Sequence, residues 1–299
     1  DRLKMLTETQ NTQTLNLHEM SSLDIVEMMN DEDATISISV KKALPEIAKS
    51  VDLIAECLNS GGRLFYVGAG TSGRMGVMDA VECVPTFGTS PEMIQGIMAG
   101  GGNATVIAKE DAEDHRDDGY EALREKEITS KDVVIGISAS GKTPFVLAAL
   151  SCARDHKAAT IGIACNVPSP LLDQVDVPIG ISVGPEILTG STRLKAGTAQ
   201  KMVLNMLSTA SMVKLGKVFQ NLMVDVKPKN QKLIQRAQKI IMQVGEVDLE
   251  SASKMLLESG NDVKIAIVMA RFGYGVETAK QKLINANGFL NRVLENPQN

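Results

Sequence analysis

At 299 residues, 43 % of them hydrophobic, the chain is long enough for one large domain and a smaller one around packed cores. Its net charge of -5 removes the broad attraction that a polyphosphate backbone needs, which excludes nucleic acid as a partner. Cys57, Cys83, Cys152 and Cys165 form no C-x-x-C pair and only three histidines are present, so neither a disulfide framework nor a metal cluster is expected.

The first 35 residues are polar, include Asp31-Glu32-Asp33, and read as an arm, either packed on a partner subunit or frayed. A helix is expected over Ile38 to Leu58, kinked or split at Pro45. Apolar runs rich in Val and Ile follow at Leu64 to Val67, Met93 to Met98, Val133 to Ile137, Thr160 to Ala164 and Val177 to Ile181. Helical stretches lie between and after them: Met75 to Glu82, Ala104 to Lys126 in one or two pieces, Phe145 to His156, and Ser191 to Leu215. Such runs are strands buried on both faces, and the alternation predicts an α/β fold, a doubly wound five-stranded parallel sheet over residues 36–235. Helical period at Asp248 to Glu258, Val263 to Arg271 and Val276 to Ala286 predicts a small three-helix domain over 236–299. No apolar run approaches the roughly 18 to 20 residues of a membrane span, and Asp1-Arg2-Leu3-Lys4 opens no signal segment. The expected compartment is the cytoplasm, with no membrane partner.

Two glycine-rich loops invite nucleotide readings that their surroundings weaken. Gly68-Ala69-Gly70-Thr71-Ser72-Gly73 fits G-x-G-x-x-G, but the next strand runs into Ala99-Gly100-Gly101-Gly102 rather than the acidic residue that holds a ribose. Gly136 to Thr143 fits G-x-x-x-x-G-K-T, but Gly136 sits within an apolar run, which leaves too short a turn to wrap a triphosphate. What the two turns share is hydroxyls and glycines between a strand and a helix. Helix N-termini offer unpaired N–H groups and partial positive charge, so two such loops suit one phosphomonoester. The alternative is that Ser and Thr only cap two helices. Aromatic residues make up 3 % of the chain and Trp is absent, so a sugar would be gripped by hydrogen bonds.

Ser138-Ala139-Ser140-Gly141-Lys142-Thr143 resembles the S-x-S-G-x-T turn of the sugar isomerase family of phosphosugar-binding domains. Together with Gly68 to Arg74, Asp79-Ala80-Val81-Glu82-Cys83 and Thr189 to Lys201, it is similar in order and spacing to the family's etherase branch, with Val84 where Pro is usual and Lys142 where Arg is common. The resemblance implies removal of D-lactate from a 6-phosphorylated N-acetylmuramate, without metal or redox cofactor, in a homodimer. It assigns catalysis to Glu82 and Glu113, Glu82 protonating the lactate oxygen and Glu113 taking the hydrogen beside the carbonyl. Composition alone gives Glu113 only an acidic surface. The apolar neighbours Met78, Ala80, Val81, Cys83 and Val84 are expected to raise the Glu82 carboxyl. Thr71, Ser72, Ser138, Ser140, Gly141 and Thr143 are the expected phosphate site, and Glu186, Ser191, Arg193 and Lys195 the residues expected to reach the sugar, the lactyl carboxylate or a neighbouring subunit's site. Rival readings are a non-catalytic sugar-phosphate regulator, an aldose–ketose isomerase on the same fold, and a nucleotide triphosphatase.

Overall fold

The computed structural model describes residues 5–109 and 111–296. Strands form at the five apolar runs: β1 (Leu64–Gly68), β2 (Ile94–Met98), β3 (Val133–Ser138), β4 (Ala159–Ala164) and β5 (Val177–Gly180). Every pairing is parallel, in the order β2-β1-β3-β4-β5. β1 and β3 are buried at each residue while the edge strands β2 and β5 are partly open, the burial that continuous apolar runs in the centre require. Gly136 lies inside β3, paired with Val67 and Gly162.

The helices are α1 (Ser22–Ala34), α2 (Ile36–Lys41), α3 (Leu44–Asn59), α4 (Gly70–Phe87), α5 (Arg116–Arg124), α6 (Pro144–Asp155), α7 (Lys195–Lys214), α8 (Gln231–Gly245), α9 (Leu249–Glu258), α10 (Val263–Phe272), α11 (Val276–Asn285) and α12 (Leu290–Glu295). Pro45 splits α2 from α3 by standing in the first turn of α3, where its missing N–H costs nothing. Among the described residues, the stretch Ala104 to Lys126 is α-helical in α5 alone. Before it come two 3-10 turns, Gly102–Thr105 and Asp111–Asp114. Gly100 and Gly101, at φ +82° and +75°, turn the chain away from β2, and the acidic run that follows favours turns over a helix.

Residues 5–34 are tied to their own chain. Ser21 and Asp24 close a capping box on α1, Thr14 Oγ1 donates to the Ile187 carbonyl at 2.9 Å, and Asn11 Nδ2 donates to Glu32 Oε1 at 3.1 Å.

Two compact units emerge: one runs to Ala80 and resumes over Glu92–Ser208, the other comprises Val81–Pro91 and the chain from Thr209 onward. In the second, the three helices read from sequence are α9, α10 and α11. The sequence-read boundary at 235/236 falls inside α8, whose Ala237, Ile240 and Ile241 share one apolar core with Leu256, Ile267, Leu283 and Val293, so α8 and α12 complete the helical set. Asn230, Asp248 and Asp262 each cap the following helix by accepting a backbone N–H.

At the end of the sheet where strands begin, two carboxylates are held by fixed partners. Asp132, buried ahead of β3, accepts from Arg63 Nε at 3.2 Å and Nη2 at 2.8 Å, and from the N–H groups of Arg63 at 2.8 Å and Thr129 at 2.9 Å. Burial alone would raise its carboxyl, but these bonds outweigh burial and hold it below the ordinary Asp value. Asp176, ahead of β5, accepts from Thr160 N–H at 2.8 Å and Thr160 Oγ1 at 2.9 Å. Among the described residues, no helix is long and apolar enough to cross a membrane.

Candidate active site

The strand order reverses between β1 and β3: the chain goes from β1 to one side for β2, then returns to the other side for β3. In open parallel sheets that reversal leaves a crevice at the carboxyl ends of the two strands, where ligands bind. Both glycine- and hydroxyl-rich loops begin there.

After β1, Gly68 and Gly73 pack backbone to backbone. A Cβ on Gly68 would stand 2.6 Å from the Gly73 nitrogen, so only glycine lets α4 begin this close to its strand. Thr71 is half-buried and lines the crevice. Ser72 is turned inward, its hydroxyl donating to Gln200 Oε1 of α7 at 2.9 Å.

After β3, the hydroxyls converge. Ser138 Oγ lies 2.7 Å from Thr143 Oγ1 and 3.2 Å from Ser140 Oγ, while the N–H groups of Gly141 and Lys142 donate to Ser138 Oγ at 3.0 Å and Ser140 Oγ at 3.1 Å. Gly141 takes φ +66°, and a Cβ there would strike Ser169 Oγ at 2.3 Å. Thr143 occupies the N-cap position of α6 yet gives it no side-chain cap, and Pro144 follows with no N–H. The start of α6 therefore receives no side-chain cap from Thr143, a helix N-terminus of the kind that suits an anion. That arrangement departs from the simple capping alternative, because Thr143 turns to Ser138 rather than to its own helix.

A cleft of about 420 Å³ beside the first loop is lined by Gly70, Thr71, Arg74, Met98, Ala108, Lys109 and Glu113, a volume in the range of small-ligand sites. Partial desolvation, and after it the Asp114 carboxylate, raise the Glu113 carboxyl above its ordinary value while its side chain keeps solvent contact. A carboxylate so tuned is a stronger base than an ordinary glutamate.

Glu82 lies on the last turns of α4, among Val81–Pro91 of the second unit. The expected apolar surround does not form. Helical geometry sends Ala80 and Cys83 inward, at 5 % and 2 % exposure, and leaves Met78 at 41 % and Val81 at 61 %, on the open side with Glu82.

Of the residues read as reaching the sugar, two are engaged internally. Glu186 is fully buried and accepts the N–H groups of Lys195 at 2.9 Å and Ala196 at 3.0 Å, capping α7. Burial raises its carboxyl more than those bonds lower it. The Lys195 ammonium, 4 % exposed, is paired with Glu32. Ser191 is half-buried and Arg193 exposed on the turn before α7. The first turn of α7 approaches the first loop, where a Cβ on Gly197 would meet Thr71 Cγ2 at 3.3 Å.

Four residues of the site region lay beyond the sequence reading. Asn166 Nδ2 donates to Thr7 Oγ1 at 2.8 Å and to the Ala139 carbonyl at 2.9 Å, fastening the N-terminal segment to the loop after β3. Gln200 orients Ser72. Arg74 holds the 102–105 turn through the carbonyls of Thr105 at 3.1 Å and Ala104 at 3.0 Å, and Lys109 faces the cleft. Arg74 and Gln200 fall within the motifs Gly68 to Arg74 and Thr189 to Lys201, but their partners, like those of Asn166, are distant in sequence, so no local pattern shows what they hold.

Residues 46–154 match the family model described as the glucokinase regulatory protein N-terminal SIS domain, and residues 117–210 that of the SIS domain. The chain is 50 % identical to N-acetylmuramic acid 6-phosphate etherase 2 of Lactiplantibacillus plantarum over 97 % of this chain and 98 % of that protein. It is 49 % identical to N-acetylmuramic acid 6-phosphate etherase 2 of Vibrio cholerae over 97 % and 95 %. Among solved structures, a Bacteroides fragilis protein described as a phosphosugar isomerase involved in capsule formation superimposes with TM-score 0.50 at 18 % identity, covering 67 % of this chain and 95 % of that one. At that identity the likeness concerns the fold alone.

Proposed function

The chain belongs to the family of N-acetylmuramic acid 6-phosphate etherases, and we propose that it carries out their reaction at the β1/β3 crevice, with the sugar phosphate anchored by the loop after β3 and Glu113 and Glu82 moving the protons. It cleaves the D-lactyl ether of N-acetylmuramate 6-phosphate, giving N-acetylglucosamine 6-phosphate and D-lactate by elimination and water addition. In the open-chain aldehyde the hydrogen beside the carbonyl is acidic enough for a carboxylate to take. Expulsion of lactate then needs a proton on the ether oxygen, and water adds to the double bond by the reverse steps.

The observation that carries the assignment is the cleft that sets Glu113, with its raised carboxyl, beside the loop that opens α4. Ser138, Ser140 and Thr143 exchange their mutual hydrogen bonds for phosphate oxygens, Gly141 permits close approach, and the N–H groups of Phe145 and Val146 complete the cradle. Thr71 and Ser72 flank it from the first loop. Glu113 takes the base role and Glu82 the acid role. Ser191 and Arg193 border the sugar, while Glu186 and Lys195 serve it indirectly by fixing the start of α7.

The working form is a homodimer in the cytoplasm. Leu23 and Val26 of α1, Ile38 of α2 and Leu44 of α3, at 63 %, 55 %, 61 % and 42 % exposure, supply apolar surface for a second copy, and the four cysteines are buried and form no disulfide. Light scattering on the purified chain should give twice the chain mass, and a monomer at micromolar concentration would refute the dimer.

The activity test is release of D-lactate from N-acetylmuramate 6-phosphate by the purified chain. Binding without release would instead favour the regulator reading, and a ketose product the isomerase.

A further inference from the structure

We infer that Lys109 receives the carboxylate of the substrate's lactyl group and makes the site selective for an ether whose leaving group is an anion. The inference rests on the functional reading above. The cleft that holds Glu113 is lined by two cations, Arg74 and Lys109. Arg74 holds the 102–105 turn, with Nε on the Thr105 carbonyl and Nη2 on the Ala104 carbonyl. Among the described residues, Lys109 Nζ donates once, to the Gly100 carbonyl at 3.0 Å, and pairs with no carboxylate. No described residue takes its other two N–H donors, which suit a ligand.

The side chain is also placed along its length. Gly100 takes φ +82°, and a Cβ there would stand 2.9 Å from Lys109 Cδ. The glycine therefore lets the aliphatic stem lie flat across the loop, with the ammonium held at its end. The other cations of this region are less suited: Lys195 is enclosed with Glu32, and Arg193 does not line the cleft.

The chemistry asks for a cation at this place. The lactyl carboxylate is one carbon from the ether oxygen, so productive binding brings a second negative charge toward Glu113. An unopposed pair of carboxylates would repel substrate and shift the base away from its working form. An ammonium between them removes the repulsion, and it also favours the negative charge that grows on the ether oxygen as the bond breaks.

The test compares N-acetylmuramate 6-phosphate with its lactyl amide, which keeps shape and loses the charge. For the wild type, kcat/KM for the acid should exceed that for the amide by about 30-fold, the scale of one charge-assisted hydrogen bond. Lys109→Gln should lower the acid's kcat/KM by a similar factor and the amide's by much less, so that most of the preference is lost, and Lys109→Arg should keep most of the preference. A Lys109→Gln protein that retains the preference, or loses both substrates equally, would overturn the inference while leaving the etherase reading intact. Absence of both lactate release from the acid and lactamide release from the amide by the wild type would overturn the functional reading and this inference together.

Discussion

The two ends of one parallel sheet are built from opposite kinds of polar chemistry. Where the strands begin, Asp132 is saturated by Arg63 and Thr129, and Asp176 by Thr160, each charge or dipole meeting a fixed partner. Where β1 and β3 end, hydroxyls lean on one another, α6 starts uncapped, and Lys109 and Glu113 face an open cleft. Polar groups with full internal partners hold the fold; those with weak or exchangeable ones are free to take a ligand. Variants at one end should then unfold the protein without altering its chemistry, and variants at the other should do the reverse.

The largest contrast is expected from Glu113→Gln. Losing the base should lower kcat/KM for D-lactate release by about 10³-fold, and because the side chain is exposed, the urea midpoint should stay where it was. An active Glu113→Gln enzyme would remove this carboxylate from the mechanism. Asp132→Ala should act in the other sense, leaving Arg63 facing a buried void and costing about 3 to 5 kcal/mol in urea unfolding. Its folded fraction should turn over at the wild-type rate, and a stable but inactive variant would break the comparison.

Ser138→Ala should raise KM for substrate by about 10- to 100-fold with kcat within a few-fold, the loss of one hydrogen bond to a charged ligand. A change in kcat alone would move Ser138 from binding to chemistry. Asn166→Ala should blur the two classes, since it both ties down Thr7 and supports Ala139: about 1 to 2 kcal/mol of stability and a several-fold rise in KM. The smallest effect is in pH dependence. The Asp132 carboxyl is held below its unfolded value, so its contribution to stability is complete above the ordinary Asp pKa and disappears as pH falls through the lower folded value. Unfolding free energy measured across that acidic window should fall more steeply in the wild type than in Asp132→Asn, and equal slopes would mean Asp132 is not held low.

The sheet could be read from sequence because strands buried on both faces must be apolar almost throughout, and the runs at 64–67 and 133–137 are just that. The loops could be read because a tight turn into a helix demands glycine and a phosphate demands donors, both of them local constraints. The segment from Gly100 to Glu113 resisted reading. Its apolar residues suggest a helix, whereas two left-handed glycines and an acidic run decide otherwise. Glu82 shows the same limit in reverse, since apolar neighbours in sequence are dispersed around a helix. The Thr7 to Asn166 fastening joins positions 159 residues apart and has no local signature at all.

The most direct measurement is a crystal structure of the Glu113→Gln chain with N-acetylmuramate 6-phosphate bound. The phosphate should lie within hydrogen-bond reach of Ser138, Ser140, Thr143 and the N–H groups at the start of α6. Density for the phosphate at any other loop, with the Ser138 cluster unchanged, would contradict that placement.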